Sequence, residues 1–269
     1  MIEILKNAHP ALQALMAGCF TWFLTAVGAA IVLLSKTFNR KLLDASLGFA
    51  GGVMLAASFW SLLVPAIELS GAYKSVFAVI PAAGFAAGVI FIRIFDRLLP
   101  HLHIYLPVQA AEGIKTSWKK GTLIVLAMTI HNIPEGLVIG VAFAALAQGM
   151  TSATLAATMA LVVGIGLQDI PEGIAVSMPL YSKGMSRYHS FWYGQLSGVA
   201  EPLAAVIGAL AVTACRPLLP YAMAFAAGAM IFVVIEEIIP ESQYAGNSDI
   251  ASMGTMLGFV GMMLLEIGL

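Results

Sequence analysis

Eight long apolar runs confine this chain to one kind of fold. They cover approximately 11–35, 46–69, 75–99, 121–147, 152–179, 190–213, 219–240 and 250–268. Each is close to the ~20 residues that a helix needs to cross the hydrocarbon core of a bilayer. Inside a bilayer the backbone must satisfy its own polar groups, and runs of this length do so as helices. The charge content agrees. Only 10% of the 269 residues are charged and 60% are hydrophobic, whereas a soluble domain carries about 25% charged residues. The expected fold is an all-α membrane protein, a single transmembrane domain over residues 1–269. The connections are short, and no soluble domain fits between the runs. The first run is not followed by a small-residue cleavage site, so it reads as a span rather than a signal peptide. A net charge of -1 gives no footing for nucleic-acid binding. Cys19 and Cys215 fall in separate apolar stretches and read as small buried hydrophobes rather than a disulfide.

Basic residues set the orientation, because cytoplasmic connections collect Lys and Arg. With the N-terminus outside, the inner connections hold Lys36, Arg40, Lys41, Arg93, Arg97, Lys115, Lys119, Lys120, Lys183 and Arg187. The outer regions keep Lys6, Lys74 and Arg216. Eight spans then put both termini on the extracytoplasmic side.

Two stretches echo each other. Phe49-Ala50-Gly51-Gly52-Val53-Met54 precedes Pro65, and Phe225-Ala226-Ala227-Gly228-Ala229-Met230 precedes Pro240. They lie in the second and seventh spans, which run in opposite directions. An inverted repeat leaves this trace. Small residues also recur wherever membrane helices pack closely.

Ionisable residues inside a membrane are costly and mark functional sites. Glu135, Asp169, Glu172 and Glu201 lie deep in spans four, five and six, and Glu236 and Glu237 late in span seven. No Lys or Arg shares their depth in this reading. Such carboxylates must be protonated or must bind a cation. Span four contains His131-Asn132-Ile133-Pro134-Glu135-Gly136, and span five Gln168-Asp169-Ile170-Pro171-Glu172-Gly173. The pattern polar-polar-Ile-Pro-Glu-Gly is written twice. Helical spacing sets the polar residues and the carboxylate of each motif on one face. Each proline removes a backbone donor and tends to kink its helix. Imidazole, amide and carboxylate together suit zinc and its first-row neighbours. The alternative for a single buried histidine is an interhelical hydrogen bond.

Other candidates sit nearer the ends. Glu68 and Glu266 lie near the outer ends of spans two and eight, either gathering cations at a mouth or simply solvated. His101 and His103 lie in the inner loop, either as a metal-capture tract or as solvated histidines.

These motifs resemble those of the ZIP (Zrt/Irt-like) metal transporters, especially the GufA-like branch. The resemblance spans nearly the whole chain, and Val199-Ala200-Glu201-Pro202 matches the sixth-span carboxylate of that family. It implies eight spans in a 3+2+3 inverted-repeat bundle and a two-metal site at mid-membrane. One ion would take His131, Glu135, Gln168 and Glu172, with Met54 nearby. The other would take Asn132, Glu135, Asp169, Glu172 and Glu201, so that Glu135 and Glu172 bridge. Glu68 and Glu266 resemble entrance residues, and Glu236 and Glu237 resemble metal contacts on the exit path, beside the His101–His103 loop. The implied activity is import across the plasma or inner membrane of divalent metals, zinc first, with Fe2+, Mn2+, Co2+ or Cd2+ as variants. An elevator-like motion of spans one, four, five and six is implied, and homodimers are common. Many eukaryotic members carry His where this chain has Gln168 and Glu172, so the oxygen-rich site here points to a broader metal preference.

Two other classes remain open at this level. An intramembrane metalloenzyme would use a buried metal to activate water, but the His-Glu-x-x-His pattern is absent. A membrane metal sensor would ordinarily need a large extramembrane domain.

Overall fold

Polar residues fix where three of the apolar runs start as helices. The computed structural model describes residues 8–34, 39–71, 76–102, 108–149 and 154–268. Eight helices among them are long and apolar enough to cross a membrane: α1 Pro10–Leu34, α2 Arg40–Leu69, α3 Val79–Leu98, α4 Lys120–Ala147, α5 Leu155–Ser182, α6 Arg187–Ala214, α7 Arg216–Gln243 and α8 Ser248–Gly268. No β-strand forms among the described residues beyond one antiparallel bridge between His101 and Glu112.

α2 begins earlier than its apolar run. The Asn39 side chain accepts from the amides of Lys41 and Leu42 at 3.0 and 3.4 Å, which satisfies orphan donors of the first turn. Arg40 Nε then pairs with Asp44 at 2.6 Å one turn on. Ser186 likewise accepts from the His189 amide at 3.3 Å and starts α6 at Arg187. α6 breaks between Ser197 and Ala200. α4 and α5 run through Pro134 and Pro171 without interruption.

Two spans widen into a π turn, α2 at Ser58–Leu63 and α7 at Val234–Ile238. A proline ring clashes with the carbonyl four residues back. For Pro65 and Pro240 those carbonyls belong to Ser61 and Glu236, each inside its wide turn. π turns of this kind recur at functional sites.

The packing falls into matched pairs. α2 lies along α8 and α3 along α7, while α1 lies along α5 and α4 along α6, with α1 also against α6. Exchanging 1 with 6, 2 with 7, 3 with 8 and 4 with 5 reproduces the same set of contacts. Contact details follow the exchange. A Cβ on Gly52 would meet the Thr255 carbonyl at 2.0 Å, and one on Gly228 the Phe85 carbonyl at 2.2 Å. The echo between spans two and seven is therefore a packing repeat, since only glycine lets these backbones touch. The core gathers between the two groups of spans, with Val53, Met54, Ile139, Leu161, Ile165 and Met230 buried together. Cys19 and Cys215 carry free thiols and are exposed rather than buried.

Candidate metal centre

The motif helices α4 and α5 meet at their midpoints, and their polar residues meet with them. His131, Asn132, Glu135, Gln168, Asp169, Glu172 and Glu201 are all buried. Gly136 and Gly173 bring the partners close. A Cβ on Gly136 would lie 2.3 Å from the Glu201 carbonyl of α6, and one on Gly173 2.1 Å from the Thr25 carbonyl of α1. Each motif glycine thus presses its helix against a neighbour and sets the depth of the adjacent glutamate.

Several polar atoms here are spoken for. Gln168 Nε2 donates to Glu135. Asn132 Nδ2 donates to the Ser197 carbonyl at 3.0 Å, an acceptor exposed by the break in α6. Trp22 Nε1 donates to the Gln195 carbonyl just before that break at 2.8 Å. His131 Nε2 lies 2.6 Å from Glu237 Oε2 of α7. Glu201 accepts from the hydroxyls of Thr21 and Thr25 on α1.

The remaining atoms have no donor. Among the described residues nothing hydrogen-bonds to either carboxylate oxygen of Asp169 or Glu172, to Glu135 Oε2, to Gln168 Oε1 or to Asn132 Oδ1. Glu135, Asp169 and Glu201 each offer an oxygen within 4.8 Å of the others. Buried polar atoms without partners are rare, and each calls for an explanation. A cluster of acceptors with no donor is what a divalent cation supplies with partners. The donor set, mostly oxygen with one imidazole, fits first-row divalent metals.

Comparison with known proteins agrees with this chemistry. The sequence model of the ZIP zinc transporter family matches residues 108–266. Zinc transporter ZIP11 of Homo sapiens is 40% identical over 99% of this chain and 100% of its own length. Zinc transporter GufA of Myxococcus xanthus is 37% identical over 95% of this chain and 98% of its own. Zinc transporter ZIPB of Bordetella bronchiseptica is 35% identical over 95% and 81%.

The chain belongs to the ZIP family.

In this ZIP protein the outlying candidates separate. Glu237 joins the centre through His131, whereas Glu236 turns to Arg93 of α3 at 2.9 Å. Arg93 also holds Asp96 at 2.6 Å. Arg93 is half-exposed near the end of α3, and among the described residues no Lys or Arg pairs with Glu135, Asp169, Glu172 or Glu201. Of the two alternatives for His101, the solvated one is corrected. It is buried rather than solvated, with Nε2 3.0 Å from Asp96 and Nδ1 2.9 Å from the Leu99 carbonyl. His103 lies outside the described residues. Glu266 accepts from Ser61 of the wide turn in α2, at a cavity of about 40 Å³ that also borders Trp60, Pro65 and Thr158. Glu68 is exposed at the end of α2. Met54 is buried in the core.

Sequence reasoning missed Thr21, Thr25 and Ser197. Hydroxyls and carbonyls inside apolar helices carry no pattern of their own, so only packing reveals them.

Proposed function

We propose that this protein imports divalent transition-metal cations, zinc first among them, into the cytoplasm through the buried centre on α4 and α5. The observation that carries the proposal is the group of buried acceptors on Glu135, Asp169 and Glu172 that no donor reaches. The names of the relatives, all zinc transporters, support the choice of zinc.

In this reading one ion sits among His131, Glu135, Gln168 and Glu172, near Met54, and a second among Asn132, Glu135, Asp169, Glu172 and Glu201. The oxygen-rich donor set extends the substrate range to Fe2+, Mn2+, Co2+ and Cd2+. Both termini face outward across the plasma or inner membrane. Glu68 and Glu266 collect ions at the outer mouth. The path inward leads from His131 to Glu237, with Glu236, His101 and His103 along its inner rim. Spans α1, α4, α5 and α6 move as an elevator against the other four. The grouping of the packing supports that division, because the first four contact one another through α1–α5, α4–α6 and α1–α6, and the others through α2–α8 and α3–α7. Two copies assemble as a homodimer.

Carboxylates and imidazole must shed protons to ligate a metal, so uptake weakens as the outer solution is acidified. The deciding experiment is zinc uptake into proteoliposomes. The double variant His131→Ala with Glu172→Ala is expected to lose uptake while keeping the wild-type melting temperature in detergent. Wild-type uptake by that variant overturns the reading. Competition by the other metals across a pH series then ranks their preference.

A further inference from the structure

The repeat that pairs the spans also pairs residues within the centre. A displacement of 176 residues carries Thr25 onto Glu201, and the same displacement carries Phe49 onto Phe225, Met54 onto Met230 and the first residue of one wide turn, Ser58, onto that of the other, Val234. Packing repeats the correspondence, since Gly173 of α5 abuts the Thr25 carbonyl as Gly136 of α4 abuts the Glu201 carbonyl. Thr25 therefore holds in α1 the place that Glu201 holds in α6.

The two side chains meet. Thr25 Oγ1 lies 3.4 Å from Glu201 Oε1, and Thr21, one turn earlier, donates to Glu201 Oε2. All three residues are buried. Gly198, in the break of α6, leaves room for the contact, because a Cβ there would stand 3.0 Å from Thr25 Oγ1 and 3.1 Å from Glu201 Oε1. Glu201 thus differs from Asp169 and Glu172, whose oxygens have no donor.

We infer that Thr21 and Thr25 are positioning residues for the second metal ion, holding the Glu201 carboxylate in place beside Glu135 and Asp169. This rests on the functional reading above. A carboxylate offers about four lone-pair sites. With one hydroxyl on each oxygen it keeps lone pairs for an ion but loses its freedom to rotate. Where the repeat has a carboxylate in α6 it has a hydroxyl in α1, so the centre carries one acid on this side rather than two.

The test is equilibrium zinc titration of the purified full chain in detergent, with a competing chelator. The wild type is expected to bind two ions. Thr21→Val combined with Thr25→Val is expected to weaken one of the two by about ten-fold or more, as loss of a partner to a metal ligand commonly does, and to leave the other unchanged. Thr21→Ser with Thr25→Ser is expected to keep both ions. If the double valine variant fails to fold, the isosteric single variant Thr21→Val carries the same reading. Two ions bound with wild-type affinity by the valine variant overturn the inference. So does an equal loss in the serine variant, which would make methyl packing the cause. A wild type that binds no zinc overturns the functional reading and this inference with it.

Discussion

The helices α4 and α5 carry one motif twice but present opposite surroundings. On α4, His131 meets Glu237, Asn132 donates to the Ser197 carbonyl, and Glu135 accepts from Gln168. On α5, Asp169 and Glu172 keep all four carboxylate oxygens without a donor among the described residues. The backbones are equivalent, down to a glycine pressed on a neighbouring carbonyl in each. The difference lies in what the flanking spans bring. α6 offers an open break and α7 an acid, while α1 is continuous and turns its hydroxyls toward Glu201. A duplicated scaffold has been given unequal chemistry, and the unequal half is the one that demands a cation.

That comparison breaks most completely if both bridging acids are neutralised. Glu135→Gln with Glu172→Gln is expected to reduce zinc binding below detection in calorimetry, because the two candidate ion positions share these residues. Retention of one ion would mean that the two halves bind separately.

The next effect concerns the shared backbone. Gly136→Val and Gly173→Val are each expected to destabilise the protein by about 3 kcal/mol or more, since an added Cβ would meet a carbonyl that has nowhere to go. Thermal unfolding in detergent reads this. Similar losses are expected for the two variants, and a mild effect in only one would show that the repeat does not extend to the centre.

A smaller effect follows from making the motifs alike. Gln168→His places imidazole on both helices, and a site richer in nitrogen favours zinc over manganese. Competition between the two metals in proteoliposomes is expected to shift toward zinc by a few-fold (about 1 kcal/mol corresponds to five-fold). An unchanged ratio would show that position 168 does not set preference.

The smallest effect lies at adjoining ends of the same helices, where Lys120 begins α4 and Lys183 follows α5. Partial burial, and next the neighbouring Lys120, hold Lys183 down at about 8. The unfolded chain then binds more protons than the folded one above pH 8, so stability rises with pH from there toward the ordinary lysine range. Lys183→Gln is expected to raise the melting temperature slightly at pH 7, and the gain is expected to shrink by about pH 10. A gain that does not change with pH would assign the effect to packing instead of charge.

Much of this was legible in the sequence. The eight spans followed from apolar length alone, and their observed limits differ most where Asn39 starts α2 at Arg40, ahead of its apolar run. The candidate donors on α4 and α5 followed from helical spacing, because residues three and four apart share a face whatever the helix packs against. His101 could not be read this way. Its burial depends on Asp96 and on a bridge to Glu112, and a loop sequence does not reveal which loop folds back onto a helix end. Glu236 and Glu237, adjacent in sequence, point to different partners because the wide turn of α7 lies between α3 and α4.

The sequence by itself determined that the chain is a bundle of membrane helices with acids and one imidazole at the middle of two of them. Apolar length and helical periodicity are local properties, and they survive any arrangement of the bundle. Only the tertiary structure decided which of those acids would find a donor. Thr21 reaches Glu201 across 180 positions, and contacts of that range arise where helices pack, through glycines that let backbones touch. The same packing that satisfies Glu201 brings no hydrogen-bond donor to the oxygens of Asp169 and Glu172.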